Sequence, residues 1–217
     1  MLPGMAHTHD HSEPDVSEWS EQAWDARYRE RTHIWSGEPN AVLVAEVEGL
    51  RPGTALDVGA GEGADAVWLA RRGWVVTAAD LSGVALERAR EAAARSGVEI
   101  AWLHADLAER PAPMTYDLVT SFFVHVPRAS QPALFANLAA AVAPGGTLLL
   151  VGHDLSDLRA GVRRPNLDEM GWSAAEVAAG LGAGWTIEIA QARAREARDH
   201  EGHGDVVHDA VLRARRS

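Results

Sequence analysis

From residue 54 onward, short apolar runs alternate with segments of helical period, and that alternation confines the chain to βαβ units around a parallel sheet. The expected strands are 54–58, 74–79, 99–103, 116–122 and 147–152. A first helix runs from about Glu62 to Gly73, with Arg71 and Arg72 in its last turn, where cations complement the negative end of the helix dipole. Ser82 caps the next, with Leu81 and Leu86 as its hydrophobic staple, and Gly97 closes it. Another extends from Ser130 to the Pro144-Gly145-Gly146 turn. Residues 155–172 form an irregular, Arg-bearing connection, after which Ser173 and Glu176 make a capping box for a short helix. The period then changes. Trp185, Ile187 and Ile189 alternate with Thr186, Glu188 and Ala190, as in a half-buried antiparallel strand, and residues 206–213 supply its partner. One α/β domain over residues 51–217 is therefore expected, its parallel sheet ending in an antiparallel hairpin.

Residues 1–16 carry His7, His9, Asp10, His11 and two prolines with few apolar positions, the composition of a disordered tail with no metal function. Over residues 17–50, Trp19, Ala23, Trp24, Ala26 and Tyr28 suit a short amphipathic helix, and a second helix spans Pro39 to Gly49; together they form an N-terminal helical flap. Two absences narrow the chemistry. The chain has no cysteine, which removes thiol nucleophiles and Cys-ligated metals, and all 20 basic side chains are arginine, which removes P-loop and Schiff-base lysines. A net charge of −11 disfavours nucleic acid as a partner. No apolar run is long enough for a membrane span, so a cytoplasmic monomer or homodimer is expected.

The chemistry is signalled by Leu56-Asp57-Val58-Gly59-Ala60-Gly61-Glu62-Gly63-Ala64. Glycines between a strand and a helix let a ligand approach the backbone beside free N–H groups. The same trio fits a dinucleotide fingerprint, so a nicotinamide-dependent oxidoreductase is the rival reading. Asp57 separates the two, because a carboxylate at the strand tip repels a pyrophosphate and attracts a cationic aminoacyl sulfonium. Asp80 ends the second strand, where a carboxylate accepts from ribose hydroxyls, and Asp106 follows the third, placed for an adenine amino group. Each of these three also fits a turn or helix cap.

Residues 54–154 resemble a class I S-adenosylmethionine-dependent methyltransferase. LDVGAGEG matches its glycine motif, Asp80 its ribose acid, His104-Ala105-Asp106-Leu107 its adenine motif, Tyr116-Asp117-Leu118-Val119 its fourth strand and Ala143-Pro144-Gly145-Gly146-Thr147 the entry to its fifth. Trp24-Asp25-x-Arg27-Tyr28 with Trp35-Ser36-Gly37-Glu38-Pro39-Asn40 is similar to the flap of the tellurite-resistance and thiopurine methyltransferase branch. The resemblance implies a Rossmann-like, doubly wound seven-stranded sheet in the order 3-2-1-4-5-7-6 with strand 7 antiparallel. It also implies S-adenosylmethionine as cofactor and S-adenosylhomocysteine as product. The implied donor-binding residues are Trp24, Tyr28, Trp35, Asp57, Gly59, Ala60, Gly61, Gly63, Asp80, Leu81, Ala105, Asp106, Leu107, Ser121 and Phe122.

Methyl transfer from a sulfonium is an in-line displacement that positioning and desolvation can catalyse. The fourth-strand exit, Ser121-Phe122-Phe123-Val124-His125-Val126-Pro127, lacks the Asn/Asp-Pro-Pro-aromatic element of amino methyltransferases acting on adenine or glutamine. A small-molecule acceptor is expected, its O, N, S, Se or Te atom left open. His125 is the candidate catalytic residue, as a general base or as a ring that packs and shapes the turn. Trp24 and Trp35 are candidates to cover the sulfonium through cation–π attraction, whereas Trp68, Trp74, Trp102 and Trp185 suit packing. His153, His200, His203 and His208 either converge beside the fifth-strand tip or belong to an exposed polar loop. A non-catalytic binding module for the same ligand is distinguishable only by turnover.

Overall fold

The computed structural model describes residues 16–162, 166–198 and 204–217. Seven strands, β1 (Thr54–Val58), β2 (Val75–Asp80), β3 (Ala101–His104), β4 (Tyr116–Phe122), β5 (Val142–His153), β6 (Trp185–Arg198) and β7 (Gly204–Arg216), form one sheet in the order β3-β2-β1-β4-β5-β7-β6. β1 to β5 are parallel, and β7 lies antiparallel between β5 and β6, which is the order and the reversal that the resemblance implies. The helices are α1 (Glu21–Glu30), α2 (Ala41–Val47), α3 (Ala64–Arg71), α4 (Gly83–Ser96), α5 (Gln131–Ala140), α6 (Ser156–Arg159), α7 (Leu167–Met170) and α8 (Ala174–Gly180), after a 3-10 turn at Val16–Trp19.

The central strands are apolar on both sides because helices cover both faces. Leu56, Val58, Val119, Leu148 and Leu150 join one core with Leu134 and Leu138 of α5. Ala55, Leu118 and Leu149 face the other way, into a second core with Leu43 and Val47 of α2 and Ala66 and Leu69 of α3. Each leucine that reaches zero exposure in these layers contributes about 1.5–3 kcal/mol. Among the tryptophans assigned to packing, Trp74 is buried, and Trp68, Trp102 and Trp185 pack half-buried against the cores.

Several boundaries differ from expectation. α3 starts at Ala64 instead of Glu62, because Gly63 holds φ +86° and keeps the loop going one residue past the expected start. β5 starts at Val142 instead of 147: Val142 already pairs with Tyr116, and Pro144-Gly145-Gly146 is an irregularity within the strand, not a turn before it. β3 is shorter, starting at Ala101. The 155–172 connection holds α6 and α7, and Ser173 precedes α8 without a side-chain cap bond, so the expected capping box is not formed. Ser82 does cap α4, its Oγ accepting from Ala85 N at 3.1 Å, and Gly97 closes it at φ +66°. The 1–15 part of the expected tail, with its histidines, lies outside the described residues. No helix among the described residues is long and apolar enough to cross a membrane.

Between β1 and β4 the strand order reverses, and a crevice opens there at the carboxyl ends of the strands.

Candidate active site

The crevice is a cavity of about 1150 Å³ between the strand ends and the flap. Its floor is the glycine loop. Gly59 N and Ala60 N both donate to the Ala79 carbonyl, at 2.8 and 3.0 Å, Gly61 N donates to Asp80 Oδ2 at 2.8 Å, and Gly63 N donates to Ala60 O at 2.8 Å. Three of the five N–H groups from Gly59 to Gly63 are thus spent on holding the loop against β2, and a fourth closes the loop on itself. A diphosphate, which needs free N–H donors, finds few here. Gly59 and Gly61 are required twice over: both have positive φ, and a Cβ would overlap Val124 Cγ2 at Gly59 and approach Trp35 Nε1 and Tyr28 Oη to 3.1 Å at Gly61. Gly59→Ala is accordingly expected to abolish measurable donor binding and lower the melting temperature, with calorimetry and thermal denaturation as the checks.

Asp80 joins the loop to the next element, its Oδ1 accepting from Ser82 N at 2.8 Å while Oδ2 holds Gly61. Burial raises its pKa, and the N–H donors at Ser82, Gly61 and Leu81 oppose that rise. Each oxygen keeps a lone pair for a ligand. Asp106 Oδ1 accepts from Ala108 N at 2.8 Å, so this carboxylate organises its own turn while lining the cavity. Ala105, Leu81 and Leu107 line the same wall, and the Leu107 carbonyl is anchored by Asn137 Nδ2 of α5 at 2.8 Å.

Three residues expected at the ligand do not line the cavity. Asp57 shares a face with Ala55, towards the α2 and α3 side, and its Oδ1 accepts from Thr120 Oγ1 at 2.9 Å inside the sheet. Burial, then the nearby Asp65 and Asp80, push its carboxyl up to about 8. Gly63 packs against α4 instead, where a Cβ would come within 2.9 Å of Ala89 Cβ. Ser121 is buried one residue before the mouth of β4, and Phe122 is the strand-end residue that reaches the cavity. The acidic side chains that do line the loop end are Glu62, Asp65 and Asp80.

The flap closes over this floor through carboxylates the sequence did not single out. Asp25 of α1 accepts from Ser82 Oγ at 2.6 Å and Val84 N at 3.2 Å, so the flap reaches into the start of α4. Glu62 accepts from Ile34 N and Trp35 N at 3.2 and 3.1 Å and pairs with Arg88 at 2.9 Å; Arg88 in turn donates to the carbonyls of Tyr28 and Arg31. Asp65 accepts from Asn40 N at 2.6 Å. Tyr28 is buried and Trp35 is 47% exposed at the rim, its Nε1 donating to Tyr28 Oη at 3.0 Å.

A further part of the cavity wall is aromatic. His125 lines it, with the Trp24 indole stacked at 5.9 Å and 29° and Trp19 edge-on at 6.0 Å. Arg27 caps Trp24 at 4.7 Å and Trp19 at 5.6 Å. Burial, and then the charge of Arg27, push the His125 imidazole down to about 4, which keeps it neutral at pH 7. Trp24 therefore covers His125 within the cavity wall. Of the late histidines, His153 meets His125, their Nε2 atoms 3.3 Å apart, and His208 Nδ1 bonds Asp157 at 2.7 Å; His200 and His203 lie outside the described residues. No cluster of three metal-ligating side chains occurs among the described residues.

Comparison with known proteins agrees with this geometry. Residues 55–146 match the model of a methyltransferase domain. Ribosomal RNA small subunit methyltransferase C of Alcanivorax borkumensis is 32% identical over 123 residues, which are 54% of this chain and 38% of that protein; the chain thus spans about two fifths of that relative's length. The solved structure reported as "Conversion of a Disulfide Bond into a Thioacetal Group during Echinomycin Biosynthesis" superposes with a TM-score of 0.72 and 27% identity over 91% of both chains. TehB from Haemophilus influenzae gives 0.71 and 20% identity over 91% of this chain and 67% of its own, a likeness of fold. Residues 55–146 are thus a methyltransferase domain, and in motifs and fold the chain resembles the class I S-adenosylmethionine-dependent methyltransferases.

Proposed function

We propose that this protein transfers a methyl group from S-adenosylmethionine to a small-molecule acceptor by in-line displacement, with positioning and desolvation supplying the catalysis. The observation that carries the reading is the cavity whose lining combines acidic side chains at the glycine loop with the indoles of the flap. Glu62, Asp65 and Asp80 at the loop end suit the cationic aminoacyl sulfonium, and the wall of Leu81, Ala105, Asp106 and Leu107 suits the adenosine. Holding an acceptor atom about 3–3.5 Å from the methyl carbon in a water-poor aromatic pocket is enough to drive such a displacement. The occupied N–H groups of the glycine loop speak against a nicotinamide dinucleotide.

The relative from Alcanivorax is named for ribosomal RNA. A net charge of −11 and a site roofed by indoles argue for a small acceptor in this chain instead. The deciding experiment measures S-adenosylhomocysteine release from the purified protein against pooled thiols, phenols, amines, halides, metalloid oxyanions and ribosomal RNA. Turnover only with the RNA would overturn the small-molecule reading. No turnover with any pool, despite donor binding, would favour a binding module.

The state of His125 makes a second prediction. A group titrating near 4 stays neutral throughout the usual range, so with an acceptor whose own ionisation is constant the difference in rate between parent and His125→Asn should stay level from pH 8 to 5 and change only towards 4. Where the imidazole positions and does not deprotonate, His125→Asn should keep turnover within about tenfold of the parent. A loss of a hundredfold with intact donor affinity would make His125 a general base.

A further inference from the structure

We propose that His153 is the positioning residue for His125: it fixes which nitrogen of that imidazole meets the methyl acceptor and which tautomer the ring presents. The inference rests on the assignment of the aromatic part of the cavity wall to the acceptor.

His125 lines the cavity, whereas His153, at the end of β5, stands behind it and does not. The two Nε2 atoms are 3.3 Å apart, and the ring centroids lie 5.4 Å apart with 29° between the planes, so the rings meet edge to edge through these nitrogens. A hydrogen bond between the two Nε2 atoms holds one proton between them, one ring donating and the other accepting. That engages Nε2 of His125 and leaves Nδ1 as the nitrogen for the acceptor. Since a neutral imidazole carries its proton on one nitrogen or the other, the choice made at Nε2 also decides whether Nδ1 donates or accepts.

The rest of the surroundings fixes the ring's plane without choosing its tautomer. Trp24 stacks on His125 and Trp19 meets it edge-on, but an indole face offers neither nitrogen a conventional hydrogen-bond partner. Arg27 lies against these indoles and adds charge. His153 is the one side chain among the described residues that hydrogen-bonds His125. The backbone brings the pair together at a cost. Phe123, the first residue beyond β4, holds φ +52°, a region an aromatic residue seldom adopts. Its N–H is tied to Val151 O at 2.8 Å and its ring lies 5.0 Å from His153. This turn swings residues 123–125 off the strand and sets His125 over the end of β5.

The test compares His153→Phe, which keeps an aromatic ring but removes the hydrogen bond, with His153→Gln, whose amide offers a donor and an acceptor near the position of the lost Nε2. The primary readout is the pair of imidazole 15N shifts of His125 in labelled full-length protein at pH 7.5, with and without S-adenosylhomocysteine. The expected result is a single tautomer in the parent and in His153→Gln, and averaged shifts from both tautomers in His153→Phe. With an acceptor returned by the screen above, kcat should fall about tenfold or more in His153→Phe, recover to within about threefold in His153→Gln, and leave donor affinity unchanged in both. Unchanged His125 shifts in His153→Phe, or a His153→Gln as impaired as His153→Phe, would overturn the proposal. Failure of the parent to bind S-adenosylhomocysteine would instead defeat the methyltransferase reading, and the tautomer measurement, which needs no turnover, would still decide the role of His153.

Discussion

Asp80→Ala is expected to weaken S-adenosylmethionine binding by a hundredfold or more. Under the proposed function the carboxylate accepts from the ribose, and two charge-assisted hydrogen bonds at about 1.5–3 kcal/mol each suffice for that loss. The structure adds a second cause, because the same side chain holds Gly61 N and Ser82 N. Without it the glycine loop loses its tie to the start of α4, and two N–H groups lose their acceptor. Asp80→Asn should fall between parent and alanine, since its amide oxygen replaces one acceptor while its NH2 faces an N–H donor. Titration calorimetry on the three proteins gives the order, and equal affinities would remove Asp80 from the donor site.

Removal of residues 1–40 should abolish turnover and leave a folded remainder, as followed by circular dichroism. The deletion takes away Trp19, Trp24, Tyr28 and Trp35 from the cavity wall and the bonds that Asp25, Glu62 and Asp65 make across to or from the flap. It spares Leu43 and Val47, whose side chains belong to the core. Water then enters the space where methyl transfer is to occur, and the contribution of desolvation disappears. Removing residues 1–16 alone should leave activity intact. Full activity in the longer deletion would show that the flap has no catalytic part.

The sheet was legible because its strands are apolar on both faces and its loops are punctuated by glycine, so the runs around Leu56, Val119 and Leu149 announce themselves. Asp57 shows the limit of reading position from a motif. Strand alternation sends it the way of Ala55, into the sheet beside Thr120, although it stands only two residues before Gly59. The acidic side chains that line the cavity beside the glycine loop are Glu62, Asp65 and Asp80, and Asp57 is not among them. The flap's fastenings had no local signal: Glu62 meets Ile34 and Trp35 from 28 and 27 residues away, and Asp25 meets Ser82 from 57. Nor did the pairing of His125 with His153, which depends on how the chain leaves β4.

The acidic lining of the loop end bears on how the site empties. Methyl transfer turns a sulfonium into an uncharged thioether, so the ligand leaves the reaction one positive charge poorer than it entered. Under the proposed function, that lost charge is lost attraction to the acidic lining at Glu62, Asp65 and Asp80, and the spent donor is expected to be held less firmly than the fresh one. Glu62 and Asp65 are also among the groups that bind the flap, so the chemistry loosens its own product next to the contacts that must part for it to go. On that reading turnover and exit would be coupled through charge.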